Sequence, residues 1–353
     1  MAVLNLALPI SKTLESYTKD KATRDLVVGM TMATLMIPQG LAFATVAGIP
    51  LLYGLYIVWM PPFIYSLFGT SIHVSYGPFA LMGLFISNAL EKRGYKPCDG
   101  LCRHESENTQ EYLEACTILT FMVSVWYFIM GVFKLGEPLA ILLADPVING
   151  FVCASAILVA NSQSWKDRAD INWASVGVGL LSIVIYFALR RFNAHLKSKS
   201  TTGIFLPEAL TSVIACTFFS WIADLEGVFG VDIVGTIPPG LPPPKFPRLD
   251  KLTSLAQLED LAGVALVAAI VSFIITHSIA KSLAGATEIK ATPQLFAFGA
   301  ANLVGSIFSS LPGSASLSRA AIIDSLHART IVHNVFTFVL MTGVLLFLSP
   351  LLK

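Results

Sequence analysis

The sequence predicts an all-α protein that crosses a membrane several times, and two observations carry this prediction. Of its 353 residues, 55% are hydrophobic and 13% are charged, whereas a soluble globular domain carries roughly 25% charged residues. Apolar stretches long enough for a membrane helix, which takes about 20 residues, recur along the whole chain. The chain therefore carries too little charge to cover a water-facing surface of its size.

Composition also narrows the possible functions. The net charge of +1 gives no indication of a nucleic-acid or acidic partner. Five cysteines are scattered, and only Cys98 and Cys102 lie close, without the histidines or further cysteines of a metal site. We favour a small disulfide in an exposed loop at this point. The sequence shows no nucleophile–base pair and no phosphate loop, so we expect neither enzyme activity nor a cofactor.

About eleven apolar segments follow one another along the chain. Segments one to four cover approximately residues 26–47, 51–68, 78–90 and 115–133, and segments five to seven cover 139–160, 176–189 and 204–222. Segments eight, nine and eleven cover 261–283, 295–308 and 335–351, and a Gly/Ser-rich stretch at 312–319 opens a short tenth segment. Pro38 and Gly40 interrupt the first segment, and the third and tenth are too short to cross a bilayer alone.

Lysine and arginine residues set the predicted orientation. The connection between segments six and seven is the most basic one, and it contains no acidic residue before Glu208. Its basic residues are Arg190, Arg191, His195, Lys197 and Lys199. We therefore expect it in the cytoplasm, and counting back through the segments places the N-terminus there as well. The connections at 91–114 and 224–260 then lie outside, where a disulfide is stable. We expect an integral membrane protein of the plasma membrane.

Segments one to three have a counterpart in segments eight to ten. In each set, two apolar spans precede a short segment opened by Gly, Ser and Pro: S-Y-G-P-F-A at 75–80 and P-G-S-A-S-L-S-R at 312–319. The sets enter the membrane from opposite sides, so they form an inverted repeat. Paired interrupted segments indicate a transport site, because half-helix N-termini favour anions. Ordinary kinks are the alternative, and they explain one interrupted helix better than two at corresponding places.

At these stretches the sequence resembles the sulfate permease (SulP) family, also called solute carrier family 26. The resembling residues read I-P-Q-G-L-A-F-A with G-I-P-L-L-Y-G-L-Y, F-G-T-S-I-H-V-S-Y-G-P-F-A, and S-A-S-L-S-R-A. The likeness extends from about residue 25 to residue 351. It implies the SulP fold, which is UraA-like: two inverted repeats of seven membrane segments, with half-helices at segments three and ten.

The resemblance divides the chain into a core domain and a gate domain. It implies a cytoplasmic segment at 1–25, core segments one to four at 26–136, gate segments five to seven at 137–223, an extracellular proline-rich loop at 224–260, and core segments eight to eleven at 261–353. We expect the remaining gate segments and the cytoplasmic STAS domain of the family to be absent from this chain. The resemblance also implies a homodimer where the full architecture is present.

The resemblance implies an anion site between the N-termini of segments three and ten. Its residues would be Gln39, Phe43, Gly77, Phe79, Ser316, Ser318 and Arg319. All of these except Gly77 have a plainer alternative. Gln39 could bridge a freed carbonyl, the phenylalanines could be packing, the serines could cap their own helix, and Arg319 could extend to the membrane surface. We favour Ser318 as a direct ligand and Arg319 as an electrostatic attractor rather than a bidentate clamp.

Three positions depart from the family pattern. Ile72 stands where an Arg or Lys is usual after G-T-S, and Thr292-Pro293-Gln294 replaces an N-Q-E. His277 falls where proton-coupled plant members carry a glutamate in segment eight. It could titrate near neutral pH and couple protons, or it could be a neutral histidine bonded to a carbonyl. We rank the second interpretation slightly ahead.

The function that the resemblance implies is secondary-active transport or exchange of small anions, such as sulfate, chloride, bicarbonate or oxalate. The core would slide against the gate like an elevator and carry the anion across the bilayer. Two alternatives remain open: an anion channel or uncoupled leak, and a non-transporting membrane protein in which a bound anion only controls conformation. The expected absence of the remaining gate segments favours the last alternative.

Overall fold

A computed structural model describes residues 9–98, 107–142, 172–199, 208–231, 238–249, 255–284 and 289–348, with residues 150, 153, 154, 157 and 233. Within these ranges the regular structure is helical, apart from one isolated antiparallel bridge between Gly77 and Ser314. The chain forms two compact units, residues 1–160 with 236–352, and residues 161–235. The all-α fold class is confirmed.

The larger unit contains most of the helices. In chain order they are α1 (Pro9–Glu15), α2 (Lys19–Ala47), α3 (Leu51–Phe68), α4 (Ala80–Glu91), α5 (Glu107–Val132) and α6 (Gly136–Leu142), and then, after the smaller unit, α10 (Leu255–Leu283), α11 (Ala291–Ile307), α12 (Leu317–Ser325) and α13 (His333–Gly343), which a π-turn (Val344–Leu348) extends. Helix α11 packs against both α5 and α3. The rings of Tyr65, Tyr76 and Phe298 stack at this contact, with centroids 5.1 to 6.1 Å apart.

The smaller unit contains the remaining described helices. These are α7 (Trp173–Lys199), α8 (Glu208–Ile222) and α9 (Leu225–Phe229). Helices α7 and α8 pack against each other, and the Ser182 and Ser212 hydroxyls are 3.1 Å apart between them. The predicted fifth membrane segment lies mostly outside the described residues.

Among the described residues, five helices are long and apolar enough to cross a membrane. They cover Lys19–Ala47, Leu51–Phe68, Asn108–Val132, Trp173–Phe192 and Gln257–Leu283. The helices α4 and α12, with 12 and 9 residues, are short as predicted. Each of the two follows a pair of longer helices, as the inverted repeat requires.

The predicted interruption of the first segment is wrong, because α2 continues through Pro38. Membrane helices tolerate such a proline where neighbouring groups satisfy the freed backbone. Gly40 does not break the helix either; it provides a close crossing with α3. A Cβ on Gly54 would lie 2.1 Å from the Gly40 carbonyl oxygen, so both positions need glycine for the backbones to touch.

Several predicted boundaries also differ from the structure. Helix α4 begins at Ala80, so Pro78 precedes the helix rather than opening it. Helix α5 begins at Glu107 instead of Ala115, and α10 begins at Leu255 within the predicted loop. Helix α7 continues to Lys199, so the basic residues predicted in a loop lie on a helix. In each of these helices, polar residues continue the helix beyond its apolar stretch. Hydropathy alone therefore does not locate the end of a helix.

The predicted disulfide loop is only partly described. Cys98 is disulfide-bonded, and its expected partner Cys102 lies outside the described residues. Cys116, Cys153 and Cys216 are free thiols.

Candidate anion-binding site

Two non-helical segments, 69–79 and 308–316, lead into α4 and α12 and meet each other. The amide of Gly77 donates to the carbonyl of Ser314 at 3.1 Å, and the amide of Ser314 donates to the carbonyl of Gly77 at 2.9 Å. This pairing lies three residues before each helix begins. Helices α4 and α12 therefore start close to one common point inside the larger unit.

Neither short helix has a side-chain cap at its N-terminus. The N-cap residues, Phe79 and Ser316, are both extended, and neither side chain makes a capping hydrogen bond. The first amides of a helix have no intrahelical acceptor, and they carry the positive end of the helix dipole. Two such ends that start near one point are suited to hold an anion.

Asn302 in α11 ties the two segments together. Its amide nitrogen donates to the Tyr76 hydroxyl at 2.7 Å, and its carbonyl oxygen accepts from the Gly313 amide at 3.2 Å. Gly313 requires glycine, because a Cβ there would lie 2.6 Å from the Tyr76 ring. Sequence reasoning missed Asn302, although a fully polar side chain inside an apolar segment is a signal that could have found it.

Helix α10 also holds the second segment in place. The Ser272 hydroxyl donates to the Gly313 carbonyl at 2.8 Å, and the Ala315 amide donates to the Thr276 hydroxyl at 2.9 Å. Ser272 and Thr276 are four residues apart, so they share one face of the helix. Sequence reasoning missed both, because small hydroxyl residues on a membrane helix commonly bond to their own backbone.

Arg319, in the first turn of α12, is fully buried and reaches both segments. One terminal nitrogen, Nη1, donates to the Pro78 carbonyl at 2.7 Å, and the other, Nη2, donates to the Ser314 carbonyl at 2.9 Å. A longer contact of 3.3 Å joins Nη2 to the Ser75 carbonyl. The side chain does not extend to the membrane surface, so that alternative is wrong.

The charge of Arg319 has only neutral acceptors within the described part of the chain. These are the three carbonyls and the Gln39 Oε1 atom, which is 3.2 Å from Nη1. Its Nε atom is buried and has no hydrogen-bond partner. A buried charge without a counter-charge is costly in a membrane protein and usually marks a functional path. The electrostatic environment here is therefore one that attracts a negative ion.

The phenylalanines lie at a cavity in the same region, and Gln39 is linked to this region by its contact with Arg319. Phe43 and Phe79 line a small cavity together with Pro78, Leu311 and Pro312. About 10 Å³ of it is open to the centre of a water molecule, which is roughly the space for one water. The oxygen of Gln39 accepts from Arg319, and within the described residues its amide nitrogen donates to no acceptor. That nitrogen can donate to a ligand.

The two serines lie at the start of α12, but they do not line the small cavity. Their hydroxyls are 2.9 Å apart and bond to each other, and Ser318 is exposed. Ser316 occupies the N-cap position of α12, but its side chain makes no capping hydrogen bond, so the plain alternative does not hold for Ser316. The structure thus brings Gln39, Phe43, Gly77, Phe79 and Arg319 together, with the serines adjacent.

His277 in α10 belongs to a separate hydrogen-bonded pair. Its Nδ1 atom is 2.7 Å from Gln294 Oε1, and its ring stacks on Phe273 with centroids 5.5 Å apart. The side chain is buried. Its partner Gln294 belongs to the Thr292-Pro293-Gln294 stretch that departs from the family pattern. This arrangement suits the neutral histidine of the second interpretation.

Comparison with known proteins identifies the family of the chain. The profile described as the sulfate permease family matches residues 23–166 and 162–353. Prestin of Tursiops truncatus is 31% identical over 362 residues, covering 93% of this chain and 47% of prestin. The chloroplastic sulfate transporter 4.1 of Arabidopsis thaliana is 31% identical over 354 residues, covering 93% and 48%. The chain thus spans about half the length of the curated relatives it matches.

Solved structures show the same fold. Murine solute carrier 26 family member A9, in the inward-facing state, has a TM-score of 0.84 at 22% identity. The match covers 99% of this chain and 61% of the murine chain. The transmembrane domain of the cyanobacterial bicarbonate transporter BicA has a TM-score of 0.72 at 20% identity and covers 95% and 85%. The family profile accounts for nearly the whole chain, and the chain therefore belongs to the sulfate permease family of membrane anion transporters.

Proposed function

We propose that this chain binds small anions between the starts of α4 and α12 and moves them across the membrane by secondary-active transport. One observation carries most of the weight. Arg319 is a buried cation whose described partners are all neutral, and it lies beside two helix N-termini that lack side-chain caps. A bound anion would supply the counter-charge that this arrangement lacks.

The roles of the residues follow from their hydrogen bonds. Both terminal nitrogens of Arg319 already donate to backbone carbonyls, so Arg319 acts as an electrostatic attractor. The direct donors would be the first amides of α4 and α12, the Gln39 amide nitrogen, and the hydroxyls of Ser316 and Ser318. Phe43 and Phe79 would present ring edges, which carry weak positive charge.

The substrate class is small inorganic or organic anions: sulfate, chloride, bicarbonate or oxalate. The names of the sulfate transporter of Arabidopsis thaliana and of the bicarbonate transporter BicA support this class. Neutral donors and helix dipoles accept oxyanions and halides alike, so the site does not select among them by charge. His277 would couple protons only if it left its bond to Gln294.

The mechanism that we propose is an elevator-like slide of the core segments, 26–136 and 261–353, against gate segments 137–223. The two halves of the site are joined through Gly77, Ser314 and Arg319, so they would travel as one body. We further propose the plasma membrane, a cytoplasmic N-terminus, and a homodimer where the gate is complete. Transport is a property proposed from the longer relatives, whereas the residues proposed for the anion site all belong to this chain.

Uptake into proteoliposomes tests the proposal. We expect radiolabelled sulfate or chloride to accumulate above the level of empty vesicles. Arg319→Ala should reduce uptake at least about tenfold, and Ser318→Ala by about two- to tenfold, the range for one hydrogen bond to a ligand. Arg329→Ala is the matched control, because Arg329 is an exposed arginine in the following loop. Uptake equal to that of empty vesicles, or unchanged in both variants, would contradict the proposal.

A further inference from the structure

An open groove lies between the end of α4 and the beginning of α10, apart from the anion site. Its volume is about 580 Å³. The floor is mostly apolar: Phe85, Ala89, Gly263, Val264 and Val267 line it, and Asn88 is its one polar residue. Val267 remains 47% exposed, so the floor continues onto an apolar surface. A groove of this kind accommodates a long apolar chain.

Four charged residues form the mouth of the groove. Arg93 and Asp260 bridge the two helices through two parallel hydrogen bonds, and each neutralises the other. The remaining two, Lys92 and Glu259, have no ion pair or side-chain hydrogen bond with any part of the chain that the structure describes. The mouth therefore offers one uncommitted cation and one uncommitted carboxylate, and its formal charge is balanced.

The order of these groups along the helices matches the layers of a bilayer. Helix α4 is apolar from Ala80 to Ile86 and becomes charged at Glu91, whereas α10 is charged at Glu259 and Asp260 and apolar from Leu261 to Val271. A bilayer around these helices would therefore meet the charges with its headgroups and the floor with its acyl chains.

We propose that the groove binds a zwitterionic phospholipid of the surrounding bilayer, of the phosphatidylethanolamine type. Lys92 binds the phosphate, Glu259 binds the ammonium group, and an acyl chain lies along the floor. A free phosphate would leave the apolar floor uncovered. An anionic lipid would lack a partner for Glu259, and its negative charge would be repelled by that carboxylate. The balanced charge at the mouth therefore favours a headgroup that carries both signs.

Gly263 allows the groove to be filled without disturbing the fold. A Cβ on this residue meets nothing within 4 Å, and leucine favours a helix more than glycine does. Gly263→Leu should therefore occupy the floor and displace the acyl chain. Gly179→Leu in α7 is the matched control, because a Cβ there also meets nothing within 4 Å.

Native mass spectrometry of the delipidated protein, titrated with phosphatidylethanolamine or phosphatidylglycerol of identical acyl chains, tests the proposal. We expect one tight phosphatidylethanolamine site, weakened about tenfold or more in Gly263→Leu and unchanged in Gly179→Leu. Glu259→Gln should remove the preference over phosphatidylglycerol, and Lys92→Gln should weaken both lipids. Equal binding in Gly263→Leu and the unsubstituted protein, a preference for phosphatidylglycerol, or a bound polypeptide in place of lipid would overturn it.

Discussion

At the scale of single residues, two buried charges organise the larger unit, and they do so in opposite ways. Arg319 donates to neutral carbonyls and keeps its charge available to a ligand. Asp25 lies at the other end of α2 from the Gly40 crossing and is completely buried. Both oxygens of its carboxylate accept hydrogen bonds from the protein itself. The contrast separates a residue that holds the structure from one that is suited to binding.

Asp25 accepts hydrogen bonds from four donors on two parts of the chain. The amides of Arg329 and Thr330 each lie 3.1 Å from Oδ1, and Oδ2 accepts from the hydroxyls of Thr330 and Tyr17. Burial, and then the nearby Asp25 carboxylate, raises the pKa of Tyr17. The loop after α12 is therefore fastened to the start of α2.

Removing this carboxylate should destabilise the protein. We expect Asp25→Ala to lower the free energy of unfolding by about 2 to 4 kcal/mol, because it leaves buried amides without acceptors. Asp25→Asn should cost less, since its carbonyl oxygen can still accept from both amides. Chemical unfolding followed by circular dichroism measures both variants. Asp20→Ala, whose carboxylate is largely exposed, is the control, and an equal loss in Asp20→Ala would contradict this account.

At the scale of helices, the close crossing of α2 and α3 positions Gln39 and Phe43. The approach depends on Gly40 and Gly54, whose backbones leave no room for a Cβ. Helices that contact through small residues approach closely, and van der Waals packing then holds them in the membrane. The glycines of the first resembling stretch therefore have a packing role beside the site.

Gly54→Ala should separate the two helices. The added Cβ would lie 2.1 Å from a backbone oxygen, which moves only with its helix. Overpacking of this kind costs about 1 to 3 kcal/mol, so the thermal unfolding midpoint should fall. Gly343→Ala, where a Cβ meets nothing within 4 Å, should leave the midpoint unchanged or slightly higher. A Gly54→Ala variant as stable as the unsubstituted protein would show that the crossing is loose.

The sequence was sufficient to predict the helices and the two short segments, because apolar length and Gly/Pro positions are local signals. It was insufficient for the helix ends: Pro78 looks like a first helical residue, yet the pairing of Gly77 with Ser314 keeps the chain extended through Phe79. The hydrogen-bond partners of Asn302 and Thr276 could not be assigned from the sequence for a similar reason. Their partners lie far away in the sequence, and only the folded chain brings them together.

At the scale of the whole molecule, two inverted segments are joined at one point, where we propose the anion site. The bridge between Gly77 and Ser314 and the hydrogen bonds of Arg319 link segments that are more than two hundred residues apart. The family membership is shown by the comparisons, whereas the position of the anion and its transport are proposals. A direct observation of the bound ion decides between a ligand site and a purely structural arginine.

The most direct measurement is the anomalous diffraction signal of selenate, a sulfate analogue, in crystals of the protein. The account predicts a single strong peak next to the first amides of α4 and α12, near the amide nitrogen of Gln39. The peak should disappear in Arg319→Gln and persist in the control Arg329→Gln. A peak elsewhere, no peak at saturating selenate, or a peak that survives in Arg319→Gln would contradict the central claim.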